Sequence, residues 1–361
     1  MRISTEILLE LEDGTILKGK SFGAEVSSTG EVVFNTAMTG YPESLTDPSY
    51  QGQILVLTYP LIGNYGAPGE EMENNLLKFY ESSSIHISGL IVTDYSFDYS
   101  HWNAEDSLGN WLKKNNIPGI YGVDTRALTK RLREKGTMLG RIIYNKQDIE
   151  FYDPNQKNLV AQVSTNKKEI YGSGSNKVLL VDCGVKFNII RSLFKRDITV
   201  IRVPWDYDFL NEDYDGLFIS NGPGDPKQCD IIIKNIKRAF EKEKPIFGIC
   251  LGNQLMALAS GTDTYKLKYG HRSHNQPVLR VGTNRAYITS QNHGFAVDNK
   301  TLSNDWEPMF ININDQTNEG MIHKSKPFFS TQFHPEASGG PTDTSFLFDE
   351  FIKNIKACKS K

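Results

Sequence analysis

The sequence has few cysteines, no long apolar run and almost no net charge. Four cysteines stand in 361 residues, Cys183, Cys229, Cys250 and Cys358, and no two form a C-x-x-C pair. That spacing supports neither a cysteine-ligated zinc site nor a disulfide framework, and it suits a reducing compartment. No stretch approaches the ~18 apolar residues of a spanning helix. The Ile7-Leu8-Leu9 run is too short for a signal-peptide core. The expectation is therefore a cytoplasmic protein with no membrane partner. Acidic side chains number 43 and basic ones 40, a formal charge of −3. Such a balance leaves no electrostatic footprint for nucleic acid or an anionic membrane surface. With 39% hydrophobic and 23% charged residues, intrinsic disorder and collagen-like repeats are excluded. The length predicts about two domains.

The first third reads as strand-rich α/β structure. Residues 7–11 and 15–18 flank an Asp13-Gly14 turn, the signature of a hairpin, and 31–36 and 53–58 read as further strands. Asp124 is placed to cap a helix through Lys135 that Gly136 stops. From about 152 to 177 the chain turns polar and ends in Gly172-Ser173-Gly174-Ser175, a linker composition. This predicts one domain over 1–175 and a second over 176–361. The second alternates short, largely apolar strands (178–181, 199–203, 216–220, 245–249), the first of them fully apolar, with helical stretches (186–196, 228–243, 251–260). That pattern predicts an α/β fold with a mostly parallel central sheet flanked by helices. Ligands of such sheets bind beyond the carboxyl ends of the strands.

Two strand ends carry candidate chemistry. Gly248-Ile249-Cys250-Leu251-Gly252 has the strand-turn-helix form of a nucleophile elbow, with cysteine in the place of serine. Glycines two residues to either side permit a tight turn. A helix starting after Cys250 brings N–H groups and a positive dipole end to the sulfur, which lowers a thiol pKa from about 8.5. His334 follows an apolar strand and offers a base, and Glu336 is placed to hold its tautomer. Cys183, Cys229 and Cys358 read as ordinary small apolar residues. His271 and His274, without a cysteine or carboxylate cluster beside them, read as loop residues rather than metal ligands.

Gly248–Gln254 together with His334-Pro335-Glu336 resembles a class I, triad-type glutamine amidotransferase domain. The N-terminal strings Gly30–Thr36, Met38–Tyr41, Leu45–Tyr50, Leu57–Pro60 and Gly122–Arg126 resemble the carbamoyl phosphate synthetase small subunit. So do Ser220–Pro226 and Asn292-His293-Gly294-Phe295. The resemblance covers essentially the whole chain. It implies that Cys250 attacks the glutamine side-chain amide, that His334 moves the proton to the departing ammonia, and that water hydrolyses a glutamyl thioester. It further implies that Ser49, Gly222, Gly224, Leu251, Gln254, Asn292, Gly294 and Phe295 grip glutamine, with Ser49 reaching from the N-terminal domain. The backbone of Leu251 and of the 222–224 loop would hold the oxyanion. Asn253 stands where many members carry histidine, Phe333 where this subunit often has glycine, and residues 271–277 replace a more glycine-rich loop.

Gly14–Ser21 matches the P-loop pattern G-x-x-x-x-G-K-[ST], but its first glycine belongs to a hairpin turn and no helical period follows. The chain is therefore expected to hold no cofactor and no metal of its own. The resemblance places ATP and Mg on a large synthetase subunit, with which this chain forms a heterodimer. There the ammonia, delivered through a protected path, becomes carbamoyl phosphate for arginine or pyrimidine synthesis. The N-terminal domain would serve docking and architecture. The competing readings are a catalytically silent structural or regulatory subunit and a free-standing class I glutaminase.

Overall fold

Strand Glu6–Leu11 (β1) buries Ile7, Leu9 and Leu11 and turns the intervening residues outward. This period-two alternation belongs to a sheet with one face on a core. In the computed structural model, which describes residues 5–360, β1 is one stave of a closed seven-stranded barrel. The others are Ile16–Ser21 (β2), Ser28–Asn35 (β3), Gln53–Leu57 (β4), Gly89–Ile91 (β5), Gly119–Tyr121 (β6) and Met138–Tyr144 (β7). Around the barrel they run β1-β7-β3-β4-β5-β6-β2. The β3–β4, β4–β5 and β5–β6 pairs are parallel and the others antiparallel. Helices Tyr41–Leu45 (α1), Leu108–Lys114 (α2) and Thr125–Lys135 (α3) belong to the same unit. As the sequence predicts, the Asp124 carboxylate accepts the Ala127 N–H at 2.8 Å and Gly136 ends α3 at φ +106°. Of the P-loop-like string, Ile16–Ser21 is strand β2, and no helix opens from it.

The chain divides between Lys157 and Asn158, not near 175. The segment read as a linker is built into the C-terminal unit. Helix Val160–Val163 (α4) buries Val160 in that unit's core, Asn158 donates to the Gln228 carbonyl at 3.2 Å, and Glu169–Tyr171 (β8) adds an edge strand. The composition misleads because an edge strand is half solvated (Ile170 is 64% exposed) and α4 contributes only one fully buried apolar side chain.

The C-terminal unit is organised on a ten-stranded sheet. After β8 come Asn176–Asp182 (β9), Ile198–Pro204 (β10), Gly216–Ile219 (β11), Ile246–Ile249 (β12), Thr264–Arg280 (β13), Ala286–Val297 (β14), Trp306–Asn312 (β15), Asn318–His323 (β16) and Phe328–Thr331 (β17). Their spatial order is β8-β10-β9-β11-β12-β17-β16-β15-β13-β14. The central five, β10-β9-β11-β12-β17, are parallel, and antiparallel strands extend the sheet on both sides. The helices are Phe187–Phe194 (α5), Asp230–Ala239 (α6), Leu251–Ala259 (α7) and Phe346–Lys359 (α8).

The central strands are mostly apolar because both faces are covered, with Asp182 of β9 and Arg202 of β10 paired to each other. On one face Leu217, Ile219 and Ile246 pack with Ile232 and Ile236 of α6 and with Leu255 and Met256 of α7. On the other, Phe247 stacks on Phe329 at 4.4 Å between ring centroids. It also meets Phe218 at 5.1 Å and, on α8, Phe348 and Phe351 at 5.8 Å each. Residues 271–277, read as a loop, lie within β13. Register irregularities against β14 between Lys266 and His271 and between Ser273 and Gln276 disguise the strand period. Among the described residues no helix is long and apolar enough to cross a membrane.

Phe247 touches four other phenyl rings, so Phe247→Ala is expected to destabilise the C-terminal unit by about 3–5 kcal/mol. Urea unfolding followed by tryptophan fluorescence measures this. A loss below about 1 kcal/mol would mean that the aromatic layer is not the core of this face.

Candidate functional site

Parallel neighbours end at the same edge of a sheet, and here three of those ends carry the singled-out residues. The 220–226 loop leaves β11, Cys250 leaves β12, and His334 follows β17. The strands are in register, with Ile219 beside Gly248 and Ile249 beside Thr331. The Cys250 N–H then donates to the Thr331 carbonyl at 2.7 Å, tying the end of β12 to that of β17.

Cys250 occupies φ +54°, ψ −103°, a strained conformation for a non-glycine residue, held between β12 and α7. Its flanking glycines are steric necessities. A Cβ on Gly252 would lie 2.3 Å from the Ile219 carbonyl oxygen. One on Gly248 would lie 2.6 Å from Met256 Sδ and 2.7 Å from Gly252. The Cys250 side chain is buried, and its Sγ donates to the Asn292 carbonyl at 3.7 Å. The first N–H groups of α7 lack intrahelical partners and place positive potential beside the sulfur. Burial pushes the Cys183 thiol well above its ordinary range and the Cys229 thiol up to about 12.

His334 is buried, and its Nδ1 lies 2.7 Å from Glu336 Oε1. No hydrogen bond reaches its Nε2 from the described residues. With Nδ1–H donated to the carboxylate, Nε2 carries the lone pair of a base. Sequence reasoning missed Lys186, whose Nζ sits 2.8 Å from the same Glu336 oxygen. Burial by itself pushes the Glu336 carboxyl up. The Lys186 ammonium and then His334 overrule it and hold it down at about 2. Lys186 is positioned from below. Arg202 grips Asp182 Oδ2 with two nitrogens at 2.6 and 2.9 Å, and Asp182 Oδ1 accepts the N–H groups of Gly184 and Val185 at 2.8 Å. The Lys186 N–H donates to Asn221 Oδ1 at 3.1 Å, and Asn188 Nδ2 donates to the Glu336 carbonyl. The available signal was positional, because residues 183–186 leave the carboxyl end of β9.

The remaining candidates are distributed as follows. Gly222 packs so closely that a Cβ there would lie 2.0 Å from the Cys183 carbonyl oxygen and 2.8 Å from Leu251 Cδ2, and Gly224 has φ +85°. The loop backbone and the start of α7 are thereby neighbours. Gln254 is buried on α7, its Nε2 donating to the Phe295 carbonyl at 2.9 Å and to Gln332 Oε1 at 3.2 Å. Asn292, Gly294 and Phe295 lie on β14, paired with β13. Ser49 lies buried in the N-terminal unit, in a turn where its N–H donates to Asp47 Oδ1 at 2.9 Å. Asn253 belongs to interior packing, accepting from Ser330 Oγ at 2.7 Å and donating to Gln332 Oε1 at 3.0 Å. Phe333 is fully buried against Phe310. His271 and His274 both lie on β13. His271 is bound by Gln291 and Asp315, whereas burial first and Lys186 next hold His274 down at about 4.

The arrangement is a buried thiol at a helix N-terminus with a carboxylate-oriented imidazole on the adjoining strand end. It has the parts for nucleophilic attack on an acyl carbon followed by proton transfer to a leaving group. Comparison with known proteins agrees with that chemistry. Residues 179–354 match the family "Glutamine amidotransferase class-I", and residues 9–142 match "Carbamoyl-phosphate synthase small chain, CPSase domain". The chain is 51% identical to the multifunctional protein pyr-3 of Neurospora crassa, over 98% of this chain and 21% of that protein. It is 54% identical to the multifunctional protein CAD of Squalus acanthias, over 97% of this chain and 16% of that one. It is 52% identical to the mitochondrial carbamoyl-phosphate synthase [ammonia] of Homo sapiens, over 97% and 24%. The chain thus spans between about a sixth and a quarter of the length of these relatives.

A carboxyl whose folded pKa is depressed stabilises the fold above its unfolded value and loses that contribution as pH falls through the folded one. Glu336→Gln is therefore expected to be less stable than the native chain at pH 6. The difference should shrink between about pH 4.5 and 2, as the native carboxyl takes up its proton. Paired urea midpoints at pH 6 and pH 3 measure this, and a pH-independent difference would contradict the ion-pair account. Gly252→Ala is expected to abolish the chemistry of Cys250 while leaving a folded chain, because the added methyl displaces α7 from β11. Reaction of Cys250 with a thiol reagent, read beside circular dichroism, checks it.

Proposed function

The chain belongs to the carbamoyl-phosphate synthase small-chain family, joined to a class I glutamine amidotransferase domain, and we propose that it hydrolyses glutamine to supply ammonia for carbamoyl phosphate synthesis. The observation that carries the reading is the convergence of Cys250, His334 and Glu336 at the carboxyl ends of adjacent parallel strands. Cys250 Sγ attacks the side-chain amide carbon of glutamine, and its proton passes to His334 Nε2. The negative oxygen of the tetrahedral intermediate is met by backbone N–H groups of Leu251 and the 222–224 loop. His334 returns the proton to the amide nitrogen, and the C–N bond breaks to give NH3 and a Cys250 glutamyl thioester. Water, deprotonated by His334, cleaves the thioester to glutamate and restores the thiol. Glu336 keeps Nδ1 protonated and stabilises the imidazolium formed in each half-reaction. Lys186 keeps Glu336 ionised.

Gln254, Asn292, Gly294 and Phe295 complete the glutamine contacts in this proposal. The ammonia goes to a synthetase that uses ATP and Mg to activate bicarbonate, as a second chain or as the continuation of one polypeptide. The matched small-chain family fits the first arrangement, and the small fraction of each relative that this chain spans fits the second. One relative is named for ammonia, and in this chain an intact Cys250–His334–Glu336 set supports glutamine as the source. A cytoplasmic setting is part of the proposal and rests on the sequence alone.

Cys250→Ser is expected to lower glutamine-dependent carbamoyl phosphate formation by at least about a thousandfold. The ammonia-dependent rate of the same synthetase should stay unchanged. Labelled glutamine is expected to leave an acid-stable thioester on the native chain and none on the variant. Retained glutamine activity in the variant would remove Cys250 as nucleophile. A native chain that forms no thioester would make it a silent structural subunit.

A further inference from the structure

A second buried cluster lies on the antiparallel flank of the C-terminal sheet and has the donor set of a metal centre. His271 on β13 and His293 on β14 are cross-strand partners, flanked by register irregularities in β13. Each offers one ring nitrogen, and Glu319 on β16 offers one carboxylate oxygen, all within 4.8 Å of one another and all in buried residues. His271 Nδ1 lies 3.3 Å from Glu319 Oε1, and His293 Nε2 lies 3.9 Å from it. Gln291 Oε1 joins them, 2.9 Å from His271 Nδ1 and 3.2 Å from His293 Nε2. Around a tetrahedral ion with bonds of about 2.05 Å, ligand atoms stand about 3.3 Å apart. The observed separations bracket that value.

The groups behind these atoms are those that orient metal ligands. Asp315 Oδ2 lies 2.8 Å from His271 Nε2, and the Phe295 carbonyl lies 2.8 Å from His293 Nδ1. Both outer nitrogens face oxygens that only accept, so each outer nitrogen carries the N–H. In the neutral rings the inner nitrogens then present lone pairs to the Gln291 carbonyl oxygen and to Glu319. Burial by itself lowers the His271 pKa, but Asp315 and Glu319 overrule it and hold it up at about 9, so without a metal ion a proton fills that place. Reversing the Gln291 amide only moves the conflict, because its Nε2 donates to Glu319 Oε2 at 3.0 Å and an oxygen there would meet that carboxylate. Four acceptor atoms aimed at one centre are reconciled by a cation, either a proton on His271 or a metal ion in its place. Glu319 Oε1 also accepts from Asn312 Nδ2 at 3.2 Å and from Thr317 Oγ1 at 3.3 Å. Asp315, held down at about 2 by His271 and Thr317 against its burial, supplies a negative charge, whereas burial pushes the Glu319 carboxyl up. The neighbouring Arg272 guanidinium donates to the Tyr269 carbonyl at 2.8 Å. The Asp315 side chain, 42% exposed, gives access from solvent.

We propose that His271, His293, Glu319 and Gln291 bind a divalent transition-metal ion of the zinc class. Two imidazoles with a carboxylate and an amide oxygen suit such an ion, not a hard cation held by oxygen alone. The ion joins three strands behind the Asn292–Phe295 segment, whose first and last carbonyls receive Cys250 Sγ and Gln254 Nε2. Its role is structural and holds whether or not glutamine is the substrate.

The test is titration of the chelator-treated full chain with Co2+, then displacement by Zn2+. The expected result is one equivalent of Co2+ with the visible bands of a four-coordinate N/O site. His271→Gln and Glu319→Gln should weaken uptake at least about a hundredfold, and Asp315→Asn, which keeps every ligand, about 10–100-fold. Circular dichroism confirms that each variant is folded, and Asp315→Asn decides the matter where a ligand variant is not. Absence of uptake by the folded native chain, or Asp315→Asn binding as well as native, would overturn the proposal and leave a proton as the cluster's cation. A cobalt spectrum with a thiolate charge-transfer band that Cys250→Ala abolishes would place the ion at the nucleophile and overturn it equally.

Discussion

The strand-to-helix turn at Cys250 is the constraint on which the rest of the C-terminal unit depends. A non-glycine residue at φ +54° costs about 1–3 kcal/mol and persists only where its surroundings leave no alternative. Here β12 is held between β11 and β17, the Cys250 N–H is bonded to Thr331, and α7 lies so close to β11 that position 252 admits no side chain. The apolar layers on both faces of the sheet supply the stability that maintains this geometry. The strained turn sets one sulfur at the helix N-terminus, where backbone N–H groups converge.

Behind the imidazole a second constraint operates. Lys186 and Glu336 are both buried, and desolvation of two charges offsets much of their attraction. Such a pair is weak evidence for stability but strong evidence for a defined electrostatic state. With the ammonium 2.8 Å away, Glu336 is held as a carboxylate that accepts from His334 Nδ1. The chain of contacts from Arg202 through Asp182 to the 184–186 turn shows how a buried cation is located without a flexible tether.

Much of the fold was legible because its signals are local. The Asp124 cap, the Gly136 stop, the β1–β2 hairpin and the apolar strands β9 to β12 each follow from a few neighbouring residues. The 158–175 segment was misread because an edge strand and a one-turn helix carry little apolar periodicity. The 271–277 stretch was misread because the irregularities in β13 break the alternation by which a strand is recognised. Cys250 was legible through its two glycines, and His334 with Glu336 through their place after a strand. Lys186 was not, since a lone lysine after a strand has no pattern that separates it from a solvated one.

The sequence by itself determined the two-part organisation, the parallel core and the strand-to-helix turn at Cys250, because spacing of glycines and apolar residues acts over a few positions. Only the tertiary structure decided which distant side chains meet. Strand order brings residue 186 to residue 336 and pairs His271 with His293 and Glu319 instead of with His274. The physical reason is that sheet neighbours are chosen by burial of whole faces. The polar groups carried on those strands are then placed by a choice that no local pattern records.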